Sequence, residues 1–157
     1  MPPPAILDPS QLDFSRLIAN RDEIARALPH RYEFQLLDGL VFFDTRTTTY
    51  AGFHDVRSDA WWTRGHIPQR PLFPGVLMIE IAAQLSSYVW QRASGERTFL
   101  GLVGVDAVKY RGTVEPPCRF VVACRGREMR RRRVVCETQG FVGNTMVFES
   151  VITGMPV

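Results

Sequence analysis

Lysine is almost missing from this 157-residue chain: Lys109 is the only one, beside eighteen arginines. Cysteine is scarce too. Cys118, Cys124 and Cys136 are odd in number, lie in apolar strand-like stretches and show no C-x-x-C spacing, which excludes a zinc or redox site of that kind. Buried free thiols in a reducing cytoplasm fit them best. After Met1-Pro2-Pro3-Pro4 there is no basic start leading into an apolar core, so no signal peptide is expected. The longest apolar stretch, Val76 to Trp90, is broken by Glu80 and Gln84 and falls short of the roughly 20 residues that span a bilayer. No metal-ligand spacing links His30, His54 and His66, and there is no internal repeat or low-complexity tract.

What is present reads as an ordinary folded domain. With 45% hydrophobic and 22% charged residues, the composition excludes a collagen, a coiled-coil rod and a disordered tail. A chain of this length buries enough surface to need no disulfide or metal staple. The net charge of +3 hides a gradient: residues 1–60 hold 6 basic and 9 acidic side chains, residues 61–157 hold 13 and 7. A basic second half points to an acidic partner without naming one.

Residues 1–14 read as an irregular leader and residues 15–157 as one domain. Asn20 and Glu23 form a capping-box pattern ahead of Ile24, Ala27 and Leu28, and Pro29 stops that short helix. Gln35 to Phe53 is strand-like, including the β-branched run Thr47-Thr48-Thr49. Pro68, Pro71 and Pro74 make Gly65 to Pro74 an ordered loop. Gly75 to Gln91 is apolar on nearly every face and predicts a helix buried all round. Four strand-like runs follow, Phe99–Val108, Arg119–Arg125, Arg133–Phe141 and Thr145–Ile152, the last two joined by a Gly143-Asn144 hairpin signal. An α+β domain results, with an antiparallel sheet wrapped around a helix.

Glu80 is the only charge between Val76 and Gln91. A carboxylate on a buried helix must be paired, hydrogen-bonded or protonated, and burial raises its pKa toward that of a usable acid. A structural Glu paired with an Arg would satisfy the same position. His66, in the stiff loop fourteen positions earlier, suits proton transfer near neutral pH, although a lone loop histidine is often inert. The first turn of the helix, at Gly75 and Val76, offers free N–H groups for a developing oxyanion. A base, an acid and an oxyanion donor are the requirements for removing a proton beside a thioester carbonyl.

The stretch GHIPQRPLFPGVLMIEIAAQ, Gly65–Gln84, resembles the G-H-F-P-x-x-P-x-x-P-G-V-L-x-x-E-x-x-A-Q signature of the 3-hydroxyacyl-acyl-carrier-protein dehydratases of the FabZ type. LPHRYEF, Leu28–Phe34, is similar to that family's L-P-H-R-Y-P-F, and GVDAVKYR, Gly104–Arg111, to its G-I-D-x-x-K/R-F-K. Order and spacing hold over residues 28–152. The resemblance implies a hot-dog fold, one long helix wrapped by an antiparallel β-sheet. It implies His66 as catalytic histidine, Glu80 as its acidic partner and the Gly75 N–H as oxyanion donor. It further implies homodimers with His and Glu from opposite subunits, often as trimers of dimers, and a substrate carried on the phosphopantetheine of acyl carrier protein, with no cofactor. Lys109 and Arg111 occupy basic positions of the motif and become candidate carrier contacts.

The chain departs from the pattern at Glu33, Trp61-Trp62, Ile67, Gly112 and Pro117-Cys118, none of them a candidate catalytic position. Glu at position 80 rather than Asp points to the dehydratase rather than the dehydratase/isomerase branch. The expected activity is conversion of (3R)-3-hydroxyacyl-carrier to trans-2-enoyl-carrier in fatty acid biosynthesis. A non-catalytic acyl-carrier-binding subunit and a hot-dog thioesterase are the alternatives. The run Arg130–Arg133, with Arg125 and Arg127, is either a docking patch for an acidic carrier protein or the phosphopantetheine phosphate or, more plainly, a solvated hairpin end. Nucleic acid binding is not expected, because no aromatic platform interleaves the arginines. His30 reads either as lining the periphery of the site or, more plainly, as a structural histidine with its hydrogen bonds satisfied.

Overall fold

The computed structural model describes all 157 residues. Its elements run β1 (Ala19–Asn20), α1 (Arg21–Ala27), β2 (Gly39–Asp44), β3 (Thr49–Val56), α2 (Gly75–Ser94), β4 (Leu100–Tyr110), β5 (Cys118–Met129), β6 (Val134–Val142) and β7 (Thr145–Pro156). Short 3-10 turns add Pro9–Gln11 and Tyr32–Phe34. All seven strands form one antiparallel sheet in the order β1-β2-β3-β5-β6-β7-β4. The sheet curves around α2, which touches β3, β4, β5, β6 and β7.

Strand alternation sorts the side chains. On β3 and β5, Tyr50, Phe120, Val122 and Cys124 point to the helix, while Ala51, Phe53, Val121 and Ala123 point outward. The inner set joins Leu77, Ile81, Leu85, Val89 and Trp90 of α2 in a core of 28 buried residues. Each fully buried Leu, Ile or Val contributes roughly 1.5–3 kcal/mol. Inside it the Tyr50 hydroxyl meets Ser86 Oγ and Cys136 Sγ, each at 2.9 Å. All three cysteines are free, and Cys124 and Cys136 are buried. The outer set is covered by the leader: Ile6, Leu7, Leu12 and Phe14 pack on it, and the Gln139 side chain binds Ile6 N and Pro4 O at 2.8 and 3.0 Å.

Three local expectations change. Thr47 and Thr48 lie in a turn between β2 and β3 despite their β-branching, because Asp44 Oδ1 accepts the Arg46 N–H at 2.9 Å and fixes the turn locally. The α2 helix runs three residues past Gln91, to Ser94. It is also not covered all round: Val76 is 69% exposed, and Ile79, Glu80 and Ala83 are only partly covered. These four positions form one i, i+3, i+4, i+7 stripe, left open because a single curved sheet cannot close on the far side of the helix. β4, at the sheet edge, likewise exposes Leu102, Val103 and Tyr110.

The capping box is present as expected: Asn20 Oδ1 accepts the Glu23 N–H at 2.9 Å and Glu23 Oε2 accepts the Asn20 N–H at 2.8 Å. Replacing Asn20 by Ala should cost about 1 kcal/mol. Thermal unfolding should register that as a fall of roughly 2–4 °C in Tm.

Candidate active site

Between β3 and α2 the chain forms no helix or strand, and its prolines fix the path. His66 is anchored twice there. Its N–H donates to Trp62 O at 2.8 Å, and its ring Nδ1 lies 2.8 Å from Leu72 O. A carbonyl only accepts, so Nδ1 carries a hydrogen and Nε2 is left as the ring nitrogen able to exchange a proton. The ring is exposed and borders a cavity of about 370 Å³ whose other walls include Trp61, Trp62, Pro74, Val76 and Leu77. The next residue, Ile67, has φ +54°, a left-handed conformation uncommon for a β-branched side chain.

Gly75 opens α2. Pro74, its N-cap, supplies no side-chain cap, so the first-turn N–H groups rely on other partners. A Cβ at Gly75 would lie 2.5 Å from Tyr110 Cε1 and 2.6 Å from Cζ. Only glycine admits the Tyr110 ring against the helix start, which keeps the Gly75 backbone unshielded by a side chain of its own.

Glu80 sits one turn further along, on the open stripe, with its side chain 26% exposed. Its Oε1 accepts from Gln84 Nε2 at 2.9 Å and lies 3.3 Å from His30 Nε2. Desolvation pushes the carboxyl up, but the His30 and Gln84 contacts together outweigh it, and the net result is a pKa below the ordinary glutamate value of 4.5. The expectation of a burial-raised acid therefore does not hold for the single chain. Glu80 is not among the residues lining the His66 cavity.

Of the two readings of His30, the structure departs from the plainer one and places the ring beside Glu80. His30 is not a satisfied structural histidine: its Nε2 faces Glu80 while its buried Nδ1 has no partner. Gln84 stands in the sequence as a break in an apolar run and as the last position of the matched signature, without an assigned role. It receives the Leu37 N–H on Oε1 at 3.3 Å and donates from Nε2 to Phe34 O at 2.8 Å. The available signal was the LPHRYEF stretch, which supplies His30 and Phe34. No periodicity argument joins it to a helix fifty positions later.

Of the candidate carrier contacts, Lys109 is exposed on β4, whereas Arg111 is held by Glu149, Nε to Oε2 2.6 Å. Most of the arginine run is also spoken for. Arg125 and Arg127 pair with Glu137, Arg130 and Arg133 with Glu128, and Arg131 with Glu96. The run lies at the β5–β6 turn, as a hairpin end. His54 stacks on Phe73, and its Nδ1 lies 2.7 Å from Leu36 O and 3.3 Å from Asp38 Oδ2.

Comparison with known proteins decides the family. The FabA-like domain matches residues 28–150. The 3-hydroxyacyl-[acyl-carrier-protein] dehydratase FabZ of Alkalilimnicola ehrlichii is 30% identical over 135 residues, covering 83% of this chain and 86% of that one. FabZ of Lawsonia intracellularis is 31% identical over 140 residues, covering 85% and 90%. The chain belongs to the FabA-like dehydratase family. Its fold is correspondingly a hot dog. It superposes on the dehydratase heterocomplex ApeI:P of Xenorhabdus doucetiae with a TM-score of 0.72 at 16% identity, over 85% of this chain and 90% of that one. A mutant thioesterase from Pseudomonas aeruginosa gives 0.65 at 14% identity, over 90% and 98%, and shares the fold. The FabA-like match begins at Leu28, so it takes in His30 together with the loop and helix that hold His66 and Glu80.

Two outcomes follow for this dehydratase. A Gly75→Ala substitution drives a methyl into Tyr110 and should destabilise by about 1–3 kcal/mol, read by urea unfolding. Because Glu80 titrates below 4.5 when folded, its ionisation contributes stability above that pH and loses it as pH falls through the lower folded value. The stability difference between wild type and Glu80→Gln should therefore shrink on the acid side of pH 4.5, as thermal unfolding at matched pH values would record.

Proposed function

We propose that this dehydratase converts a (3R)-3-hydroxyacyl thioester on acyl carrier protein to the trans-2-enoyl thioester, within fatty acid biosynthesis in the cytoplasm. The carrying observation is a His66 ring fixed through Nδ1 at a cavity beside the start of α2, the helix whose open stripe presents the Glu80 carboxyl. His66 Nε2 takes the C2 proton, and the electron pair passes into an enolate whose oxygen is held by the Gly75 N–H. The C3–O bond then breaks, the oxygen takes the proton of Glu80, and water leaves. The C2–H and C3–O bonds break, a C2=C3 double bond forms and water leaves without net oxidation or reduction, so the reaction calls for no redox or group-carrying cofactor.

His66 and Glu80 do not share the cavity of one chain, which supports a site completed by a second copy. The open stripe of Val76, Ile79, Glu80 and Ala83, and the exposed β4 edge, are apolar surfaces suited to that homodimer. Covering them adds to the desolvation that already pushes Glu80 up, and so favours the protonated carboxyl that dehydration needs. Lys109, exposed on β4, is the better placed carrier contact; Arg111 acts through its pairing with Glu149.

Incubation with 3-hydroxybutyryl-carrier and with crotonyl-carrier tests the reading. Enoyl absorbance should change without release of thiol, and His66→Ala and Glu80→Gln should each lower turnover on the order of 10²–10⁴-fold. Thiol release would identify a thioesterase, and no change with either substrate a binding subunit. Lys109→Glu should raise KM for the carrier-bound substrate while leaving that for the matching pantetheine thioester unchanged.

A further inference from the structure

The two oxygens of Glu80 are not equivalent. Gln84 Nε2 and His30 Nε2 both address Oε1, at 2.9 and 3.3 Å, and Oε2 has neither as a partner. Gln84 has one workable amide orientation. Its Oε1 must accept the Leu37 N–H, so its NH₂ group supplies the two donors, one to Phe34 O and one to Glu80. The His30 ring is 16% exposed, is met by the edge of Phe99 with centroids 5.5 Å apart, and has its Nδ1 buried without a partner. With hydrogen on Nε2, Nδ1 is left with only a lone pair. Hydrogen on Nδ1 would bury an unmet donor, the costlier arrangement. The ring is thereby oriented as a donor toward Oε1.

Building on the dehydratase reading above, we propose that His30 is a positioning residue which, with Gln84, dedicates Oε1 of Glu80 to anchorage and leaves Oε2 as the oxygen that exchanges a proton with the substrate's 3-oxygen. The segment from Leu28 to Leu37 is then part of the catalytic apparatus without touching the substrate. It holds the carboxyl through one side chain of its own, His30, and through Gln84, which it fixes by two backbone groups. His30 is the only ionisable side chain of the chain that bears on the Glu80 carboxyl. Arg31, beside it, turns back to the carbonyls of Leu28 and His30, and α2 from Gly75 to Gln91 carries no other charge.

His30→Gln and His30→Asn separate this role from a packing role. Gln reaches the place of Nε2 and can donate to Oε1; Asn reaches only the place of Nδ1. The expected result, with 3-hydroxybutyryl-carrier, is that Asn lowers kcat at least tenfold with KM within twofold, and that Gln recovers it to within threefold of wild type. In the reverse direction, hydration of crotonyl-carrier needs Glu80 as the ionised base. Loss of the His30 donor weakens the ionised form, so the acid limb of the hydration profile should move to higher pH in Asn and return toward wild type in Gln. Adding His30→Asn to Glu80→Gln should lower turnover no further. Equal effects of Asn and Gln, or an unmoved acid limb, would overturn the proposal while a dead Glu80→Gln enzyme left the dehydratase reading intact. A fully active Glu80→Gln enzyme would overturn both.

Discussion

Everything functional in this protein hangs on the seating of α2 in the curved sheet. Ile81, Leu85, Val89 and Trp90 fix the rotation of the helix by burying one side of it against β3 and β5 to β7. That rotation decides that Glu80 emerges on the stripe the sheet cannot reach. It also places the Gly75 end under Tyr110 of β4. A shift of one residue in helix register would turn the carboxyl by about 100° and bring it into the apolar core, where a charge is prohibitively costly. Hydrophobic burial thus does the aiming, and the polar groups only refine it.

The refinement is local and polar. Desolvation and donor contacts act on Glu80 in opposite senses, and in the single chain the donors prevail. The acid is therefore responsive to its cover. With the stripe open the carboxyl is partly covered and held by Gln84 and His30; excluding more water would push it toward the protonated form with no movement of the backbone. His66 shows a different economy, because one carbonyl, that of Leu72, selects the tautomer with no carboxylate behind the ring.

Periodicity and turn chemistry made most of the fold legible. The capping box at Asn20, the Gly143-Asn144 hairpin and the apolar run of α2 are local signals, and the structure honours each of them. The Thr47-Thr48 turn was illegible to propensity, because a single Asp44 side-chain contact outranked two β-branched residues. His66, Gly75 and Glu80 were readable as candidates because they cluster in one segment around a helix start. His30 and Gln84 lie inside the matched stretches, but their partnership with Glu80 and Phe34 was not readable, since it joins residues fifty positions apart. The tethered Arg111 escaped notice for the same reason: Glu149 lies on another strand. The segment read as an irregular leader holds a 3-10 turn at Pro9–Gln11, and its apolar residues cover the outer sheet face, which composition alone does not reveal.

The near-absence of lysine has a practical side. Arginine holds the exposed ion pairs by forked contacts, as between Arg119 and Asp55 or Arg57 and Asp59, and so leaves the surface with a single side-chain amine. That amine, on Lys109, stands on the free edge of β4, next in sequence to the tyrosine that roofs Gly75. An amine-selective reagent therefore finds one side-chain address on the whole molecule, and it lies where the sheet ends and the helix begins. A dye placed there would sense whatever comes to lie against that edge.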